Sequence, residues 1–296
     1  MLDYHVHLWP HGRTADPLEL RLEQLGVYCA RAAAQGVEQI ALTEHFFRFR
    51  SARAVVEGFW DDAGEPVLAA AMAAYFDDHA TAELDDYVTA ALNARAAGLP
   101  VVVGLEVDYY PGRMDAVAEL LAGYPLDVVL GSVHWIGNWQ FDNLDSPLMM
   151  GEWGSRGVED AWRRYCDALD ELAATGAVDV LAHPDLVKVA GRRPDPALLQ
   201  ECEVRIAEAA AHSKLAAELS SAGWRKPIGE AYPSAHLLQL FAERDVPITT
   251  ASDAHGAPDV GFRAGEIAAM ARAAGYRTLR AFASRTGYDV ALGGAR

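Results

Sequence analysis

Residues 101–107 read VVVGLEV, and this stretch decides the fold. It is largely apolar on both faces, as in a strand of a parallel sheet that helices cover on both sides. Similar β-like runs occupy residues 2–8, 39–43, 128–133, 178–182, 215–219 and 248–251. Helical patterns fill residues 17–35, 83–97, 113–121, 157–175, 195–212, 233–243 and 261–274. Seven such repeats without an obvious linker predict an α/β fold, a slightly incomplete (β/α)7 TIM-like barrel.

One stretch interrupts this alternation. Residues 48–82 are rich in alanine and aspartate and include the sequence GFWDDAGEP. We expect a helical insertion beside the mouth of the barrel, within a single domain that covers residues 1–296.

The composition narrows the class of protein. The formal charge of −17 counts against nucleic acid as a partner, because duplex binding needs many basic residues at the phosphates, but it is compatible with a small phosphorylated substrate. No apolar run reaches the ~18 residues that span a bilayer, and no signal peptide is evident, so we expect no membrane partner. Cys29, Cys166 and Cys202 are widely spaced and form no C-x-x-C motif, which favours the cytoplasm. The oligomeric state is not predicted.

Histidines are concentrated near the start of the chain, where residues 2–12 read LDYHVHLWPHG. The period of two in a strand places His5 and His7 on the same face. Paired imidazoles at a strand end, followed closely by His11, are typical of a metal site.

Other candidate ligands also follow predicted strands. They are Glu44 and His45, Glu106 and Asp108, His134, His183, and Asp253 with His255. Because the carboxyl ends of all strands in a parallel barrel lie on one face, we expect these residues to converge there. His79, His212 and His236 fall in helical patterns instead, and we expect them to be surface or core residues. Imidazole and carboxylate ligands together suit Zn, Fe or Mn.

The motifs DYHVHL with PHG, LTEHF, GLEVDYYPG, GSVHW, AHPDLVK and SDAHGAPDVG resemble those of the PHP (polymerase and histidinol phosphatase) family. The resemblance extends from Asp3 to about Gly261. In addition, ELSSAGWRKPIGEAYPS at 218–234 is similar to the segment before the last motif in the histidinol-phosphate phosphatases of that family.

The resemblance implies a distorted seven-stranded barrel with a trinuclear site at the carboxyl ends of the strands. Its ligands would be distributed over three divalent ions. His5, His7 and Asp253 would hold the first ion, Glu106 would bridge it to a second held by His134 and His183, and His11, His45 and His255 would hold the third.

These ions would lower the pKa of a shared water, so that a bridging hydroxide could attack the phosphorus of a phosphate monoester, with Glu106 and Asp253 as the catalytic carboxylates. We expect Arg225, Lys226 and Lys188 to bind the substrate, because Arg and Lys suit phosphate contacts. L-histidinol phosphate is the expected substrate. The alternative is another substrate of the same family, such as a phosphotyrosyl protein, a nucleotide or another small phosphate.

Two features bear on the choice of substrate. A histidinol-like cation calls for an acidic neighbour, and Glu44, Asp108 and Glu230 are the candidates, although Glu44 is also placed to orient a metal ligand. After GSVHW the chain continues with IGNWQFD at 136–142, which lacks the basic residue that the resemblance leads us to expect there.

Overall fold

The structure is a computed structural model that describes residues 1–10, 15–61 and 64–293. Its main sheet has seven parallel strands in the order β1-β2-β3-β4-β7-β8-β9. The strands are β1 Leu2–Val6, β2 Gln39–His45, β3 Val101–Asp108, β4 Val128–Ser132, β7 Val180–Leu181, β8 Ala216–Ser220 and β9 Ile248–Ala251. The short strands β5 Trp135–Ile136 and β6 Trp139–Gln140 form a separate hairpin.

The sheet closes on itself between its first and last strands. Val6 forms a parallel bridge with Ala254, and the His7 amide donates to the Ala254 carbonyl at 2.8 Å. The nearly closed, seven-stranded parallel barrel confirms the predicted TIM-like fold.

Ten α-helices are present in the described parts of the chain. They are α1 Leu22–Ala34, α2 Arg50–Val56, α3 Pro66–His79, α4 Leu84–Ala96, α5 Met114–Leu121, α6 Pro147–Arg156, α7 Val158–Ala174, α8 Pro196–His212, α9 Ala235–Glu243 and α10 Ala264–Ala273. None of these ten helices is long and apolar enough to cross a membrane.

The helix predicted over residues 17–35 is wrong at its start. Pro17–Leu20 form a 3-10 turn, and Arg21 is extended, with φ −70° and ψ 143°, before α1 begins. The Asp16 side chain accepts a hydrogen bond from the Leu18 amide and caps the short turn. The cap and the extended Arg21 divide the segment into two pieces, which apolar periodicity alone does not reveal.

Between β2 and α4 lie the helices α2 and α3. The ends of this segment meet where Phe49 forms a parallel bridge with Ala82. Aromatic side chains of α3 face the barrel mouth, where Tyr75 contacts Phe47 and Trp135 edge to face, with ring centroids 5.3 and 6.1 Å apart. These helices therefore contribute a wall beside the carboxyl ends of the strands.

After α10 the chain forms an antiparallel hairpin that the sequence analysis missed, with β10 at Thr278–Ala283 and β11 at Thr286–Ala291. Its loop residues Ser284 and Arg285 have positive φ angles of 49° and 61°. The Ser284 amide donates to the Asp127 carboxylate at 3.1 Å, and Arg285 pairs with Asp179. Because these aspartates precede β4 and β7, the hairpin covers the end of the barrel opposite the predicted site.

Candidate metal centre

The strand ends bring most of the predicted ligands to one place. Each of these residues lies at or just after the carboxyl end of a barrel strand, and the register of the sheet makes His45 and Glu106 direct neighbours on β2 and β3. His5, His7, Glu106 and His183 are at most 1% exposed, and His134 is 8% exposed. A buried histidine–carboxylate cluster therefore forms the mouth of the barrel.

Glu106 is the centre of this cluster. Its Oε2 atom lies 3.4 Å from His5 Nε2, 3.6 Å from His7 Nε2 and 2.6 Å from His45 Nδ1. Its Oε1 atom lies 2.9 Å from His183 Nε2 and 3.7 Å from His134 Nε2. One carboxylate thus faces five imidazoles, a position suited to bridging two cations.

Asp253 and His255 approach the cluster from the loop after β9. The Oδ1 atom of Asp253 lies 3.4 Å from His7 Nε2 and 3.9 Å from His5 Nε2. His255 Nε2 lies 3.3 Å from His45 Nε2. The backbone of Asp253 is left-handed, with φ 51°, and that of His183 is similar, with φ 27°; non-glycine residues hold such conformations at functional sites more often than elsewhere.

A second set of carboxylates orients the imidazoles. Glu218 Oε2 lies 2.7 Å from His5 Nδ1, Glu44 Oε1 lies 3.3 Å from His7 Nδ1, and Asp108 Oδ1 lies 2.5 Å from His134 Nδ1. A carboxylate at Nδ1 fixes the tautomer that leaves Nε2 as a ligand, as second partners of metal-bound histidines commonly do. The three Nε2 atoms face Glu106 as a result.

Glu218 is a functional residue that the sequence analysis missed. It lies on β8 and is fully buried, although the strand otherwise consists of small and apolar residues, AAELS. A charged residue inside an apolar strand was the available signal, because a buried carboxylate needs a partner of opposite charge.

The electrostatics of the cluster favour bound cations. Burial raises the pKa of Glu106, but the positive charges of His5, His134 and His45 outweigh it and hold this pKa well below its usual range. Burial lowers the pKa of His5, yet Glu218, Glu106 and Asp253 raise it well above 6.5. In His134, burial is likewise outweighed by Asp108 and Glu106, which raise its pKa to about 10. The buried carboxylates thus favour positive charge at His5 and His134, and they would favour a bound cation for the same reason.

The donor atoms also fit a metal ion geometrically. His5 Nε2 and His7 Nε2 are buried and have no hydrogen-bond partner in the described residues, and both face Glu106 Oε2. Ligands of a tetrahedral zinc at ~2.0–2.1 Å lie about 3.3 Å apart, close to the 3.4 and 3.6 Å that separate these nitrogens from Glu106.

Among the described residues, three groups of three side chains each have ligand atoms that lie within 4.8 Å of one another. The groups are His5, His7 and Glu106; His45, Glu106 and His134; and His7, His45 and His255. The resemblance implied a different grouping, with His7 at the first ion and His45 at the third. In the structure His45 also groups with Glu106 and His134, and His7 also groups with His45 and His255. His11 lies outside the described residues.

The three residues expected to bind substrate have different surroundings. Arg225 Nη2 donates to the carbonyls of Ser252 and Asp253 at 2.7 and 2.8 Å, while its Nη1 is buried without a hydrogen-bond partner in the described residues. Lys226 is half-buried, close enough for its charge to act on Asp142.

Lys188 differs from the other two because it is fully buried. Its Nζ atom lies 2.7 Å from Asp185 Oδ2, 2.7 Å from Glu230 Oε1 and 2.8 Å from the Ala231 carbonyl. All three protons of the ammonium group therefore have acceptors within the protein.

Comparisons with known proteins agree with the predicted fold and family. Residues 22–222, well over half of the chain, match the family model of the PHP domain. A "probable histidinol-phosphatase" of Deinococcus radiodurans is 37% identical over 185 residues, which cover 62% of this chain and 68% of that protein.

Two solved structures share the barrel. One is a histidinol phosphate phosphatase of Lactococcus lactis in complex with zinc, L-histidinol and phosphate, at a TM-score of 0.67 and 19% identity over 97% of this chain and 98% of that chain. The other is a candidate histidinol phosphatase of Listeria monocytogenes, at a TM-score of 0.66 and 20% identity over 90% and 99% of the two chains. The match to the domain model, over residues 22–222, shows that the chain belongs to the PHP family.

Proposed function

We propose that this protein is a metal-dependent phosphatase that hydrolyses L-histidinol phosphate to L-histidinol and phosphate. The observation that carries the proposal is the buried cluster around Glu106, in which several imidazoles and a carboxylate converge and the Nε2 atoms of His5 and His7 have no hydrogen-bond partner in the described residues. The name of the Deinococcus relative and the ligands of the Lactococcus structure support this choice of substrate.

The cofactors are proposed to be three divalent ions, Zn, Fe or Mn. Their ligands would be His5, His7, His11, His45, Glu106, His134, His183, Asp253 and His255. Bound there, such ions would supply a hydroxide nucleophile at neutral pH and would neutralise the charges of a phosphate ester.

The protein's own side chains have the task of holding this arrangement. Glu106 and Asp253 provide the negative charge that attracts cations, and both have pKa values well below the usual range despite the effect of burial. Glu218, Glu44 and Asp108 fix the imidazoles of His5, His7 and His134. Since all of these groups are positioned before substrate arrives, little reorganisation is needed during the reaction.

Arg225 and Lys226 are proposed to bind the phosphate. The buried Nη1 atom of Arg225 has no hydrogen-bond partner in the described residues, so it keeps protons that a phosphate oxygen bound beside it would accept. Lys188 positions this segment, because its ion pairs with Asp185 and Glu230 hold the residues that follow Lys226.

We further propose that the chain is a single domain with the insertion at about 48–82, because one hydrophobic core extends from Leu2 to Leu292. The cytoplasm is the proposed compartment, since Cys29, Cys166 and Cys202 are buried free thiols.

The test is phosphate release from L-histidinol phosphate and from a panel of phosphate monoesters and diesters. It uses protein depleted of metal by chelation and the same protein after addition of Zn or Mn. We expect metal-dependent turnover with a preference of roughly 100-fold for histidinol phosphate, about 2.7 kcal/mol in the barrier. Equal, slow hydrolysis of all monoesters would assign the protein to another substrate, and metal-independent turnover would contradict the mechanism.

A further inference from the structure

The carboxylates expected to recognise a cationic substrate are already engaged within the protein. Glu44 contacts His7 and Arg48, Asp108 contacts His134, and Glu230 contacts Lys188 and Arg193. A substrate ammonium group would have to compete with these partners, each of which is a proposed metal ligand, a buried lysine or an arginine.

Asp142 is a carboxylate near the same mouth that differs from these three. It follows β6 and is half-buried, and its Oδ1 atom is buried without a hydrogen-bond partner in the described residues. The preceding residue anchors it, because the Phe141 ring packs edge to face against Tyr165 and Trp153, with centroids 5.6 and 6.4 Å away. The packing of Phe141 therefore fixes the backbone next to Asp142, while its Oδ1 atom remains without a hydrogen-bond partner in the described residues.

Asp142 lies close to the metal centre, because the ring of Phe141 before it packs on Tyr165, whose hydroxyl donates to the His183 carbonyl at 3.4 Å. The charges of His134, Lys226 and His183 act on its carboxyl group, and its own charge acts on Tyr75 and Tyr232. These residues follow β4, β7 and β8 or belong to α3, so they surround the mouth of the barrel. A ligand held at the metal centre would therefore lie within the field of Asp142.

The charge of Asp142 conflicts with a substrate that carries only phosphate. The metal ions, Arg225 and Lys226 would attract a phosphate dianion, whereas a carboxylate beside them repels it. The conflict disappears if the substrate has a positively charged group that lies beside Asp142. Phosphate esters without a positively charged group would still be repelled, so the carboxylate would select against them. L-histidinol phosphate has such a group, an ammonium near its phosphate.

We propose that Asp142 is the specificity-determining residue that binds the substrate's ammonium group, so that the enzyme selects cationic phosphate monoesters. This inference rests on the proposed phosphatase function and names the class of its substrate. It assigns to the IGNWQFD segment the selection of the substrate's cationic end, while the phosphate end is bound on the side of Arg225.

The test compares Asp142→Asn with Asp145→Asn, an exposed aspartate in the same loop. Each metal-loaded protein is assayed with L-histidinol phosphate, ethanolamine phosphate and p-nitrophenyl phosphate. We expect Asp142→Asn to lower the ratio of kcat/KM for each ammonium ester to that for p-nitrophenyl phosphate by about 10- to 100-fold, mainly through KM. Asp145→Asn should leave this ratio unchanged.

Binding of L-histidinol, measured by calorimetry on the metal-loaded proteins, gives a readout that needs no turnover. It should weaken about 10-fold or more in Asp142→Asn and not in Asp145→Asn. An equal loss for all three esters, or unchanged histidinol binding, would overturn the inference. If the unmodified protein prefers ethanolamine phosphate to histidinol phosphate, the histidinol proposal fails and the role of Asp142 stands.

Discussion

His5 and Glu218 are joined by a contact of 2.7 Å between Nδ1 and Oε2, and neither side chain is exposed to solvent. The two residues are 213 positions apart in the sequence, on β1 and β8. The contact directs His5 Nε2 towards Glu106. Glu218 on β8 is not among the proposed metal ligands. It acts on the cluster through His5, whose ring it orients.

Glu218→Gln should weaken metal binding about 10- to 100-fold, because it removes the charge that orients His5 and stabilises its bound state. The measurement is metal affinity by competition with a chelator, with metal content determined by elemental analysis. Glu201→Gln, on the exposed face of α8, is the matched control. Full metal affinity in the Glu218 variant would show that the orientation of His5 does not depend on this carboxylate.

Removal of the metal should destabilise the protein more at high pH than at low pH. The folded pKa of His134 is about 10, against 6.5 for an ordinary histidine, so its proton stabilises the metal-free fold below pH 6.5. That contribution is lost as the pH rises through about 10, whereas bound metal replaces the proton. The difference in Tm between metal-loaded and chelated protein should therefore grow between pH 6.5 and 9. A constant difference would indicate that these imidazoles are not protonated in the metal-free protein.

Arg225→Lys separates two contributions of this arginine. The guanidinium holds the carbonyls of Ser252 and Asp253, and a lysine ammonium cannot keep both contacts while also reaching a phosphate. We expect a loss of about 10-fold or more in metal affinity together with a raised KM. Arg263→Lys, an exposed neighbour, is the control. A raised KM with unchanged metal affinity would restrict Arg225 to phosphate binding.

The sequence predicts the barrel and its candidate metal ligands more completely than it predicts the residues that orient those ligands. Strands such as 101–107 are apolar on both faces and their ends carry His or Glu, so periodicity and topology together locate Glu106 among the histidines. The partners of the ligands are harder to foresee, because the contact between His5 and Glu218 depends on the closure of the barrel. The final hairpin lacks the usual signal, since Ser284 and Arg285 occupy the positive-φ positions where Asn-Gly is preferred.

Arg285→Ala should destabilise the fold without impairing the site. The side chain donates to the Ala177 carbonyl at 2.8 Å and pairs with Asp179, which is largely buried. Loss of both contacts should cost about 1–3 kcal/mol, visible as a lower Tm with kcat/KM retained at 25 °C. Arg280→Ala removes a pair with Asp289 on the exposed side of the same hairpin and should cost under about 1 kcal/mol. Equal losses of stability in the two variants would argue against a stabilising role for the contacts by which the hairpin loop covers this end of the barrel.

Lys188→Met tests whether this lysine supports the site or binds substrate directly. The change leaves Asp185, a buried carboxylate, without its cation, and breaking a buried pair in this way costs about 3–5 kcal/mol. Lys214→Met, at an exposed lysine, should leave the free energy of unfolding nearly unchanged. Denaturant unfolding of both variants gives the stability, and steady-state kinetics gives KM. If Lys188→Met instead raised KM without lowering the free energy of unfolding, Lys188 would bind the substrate directly. Its ammonium group would then have to leave Asp185 and Glu230 to reach the phosphate.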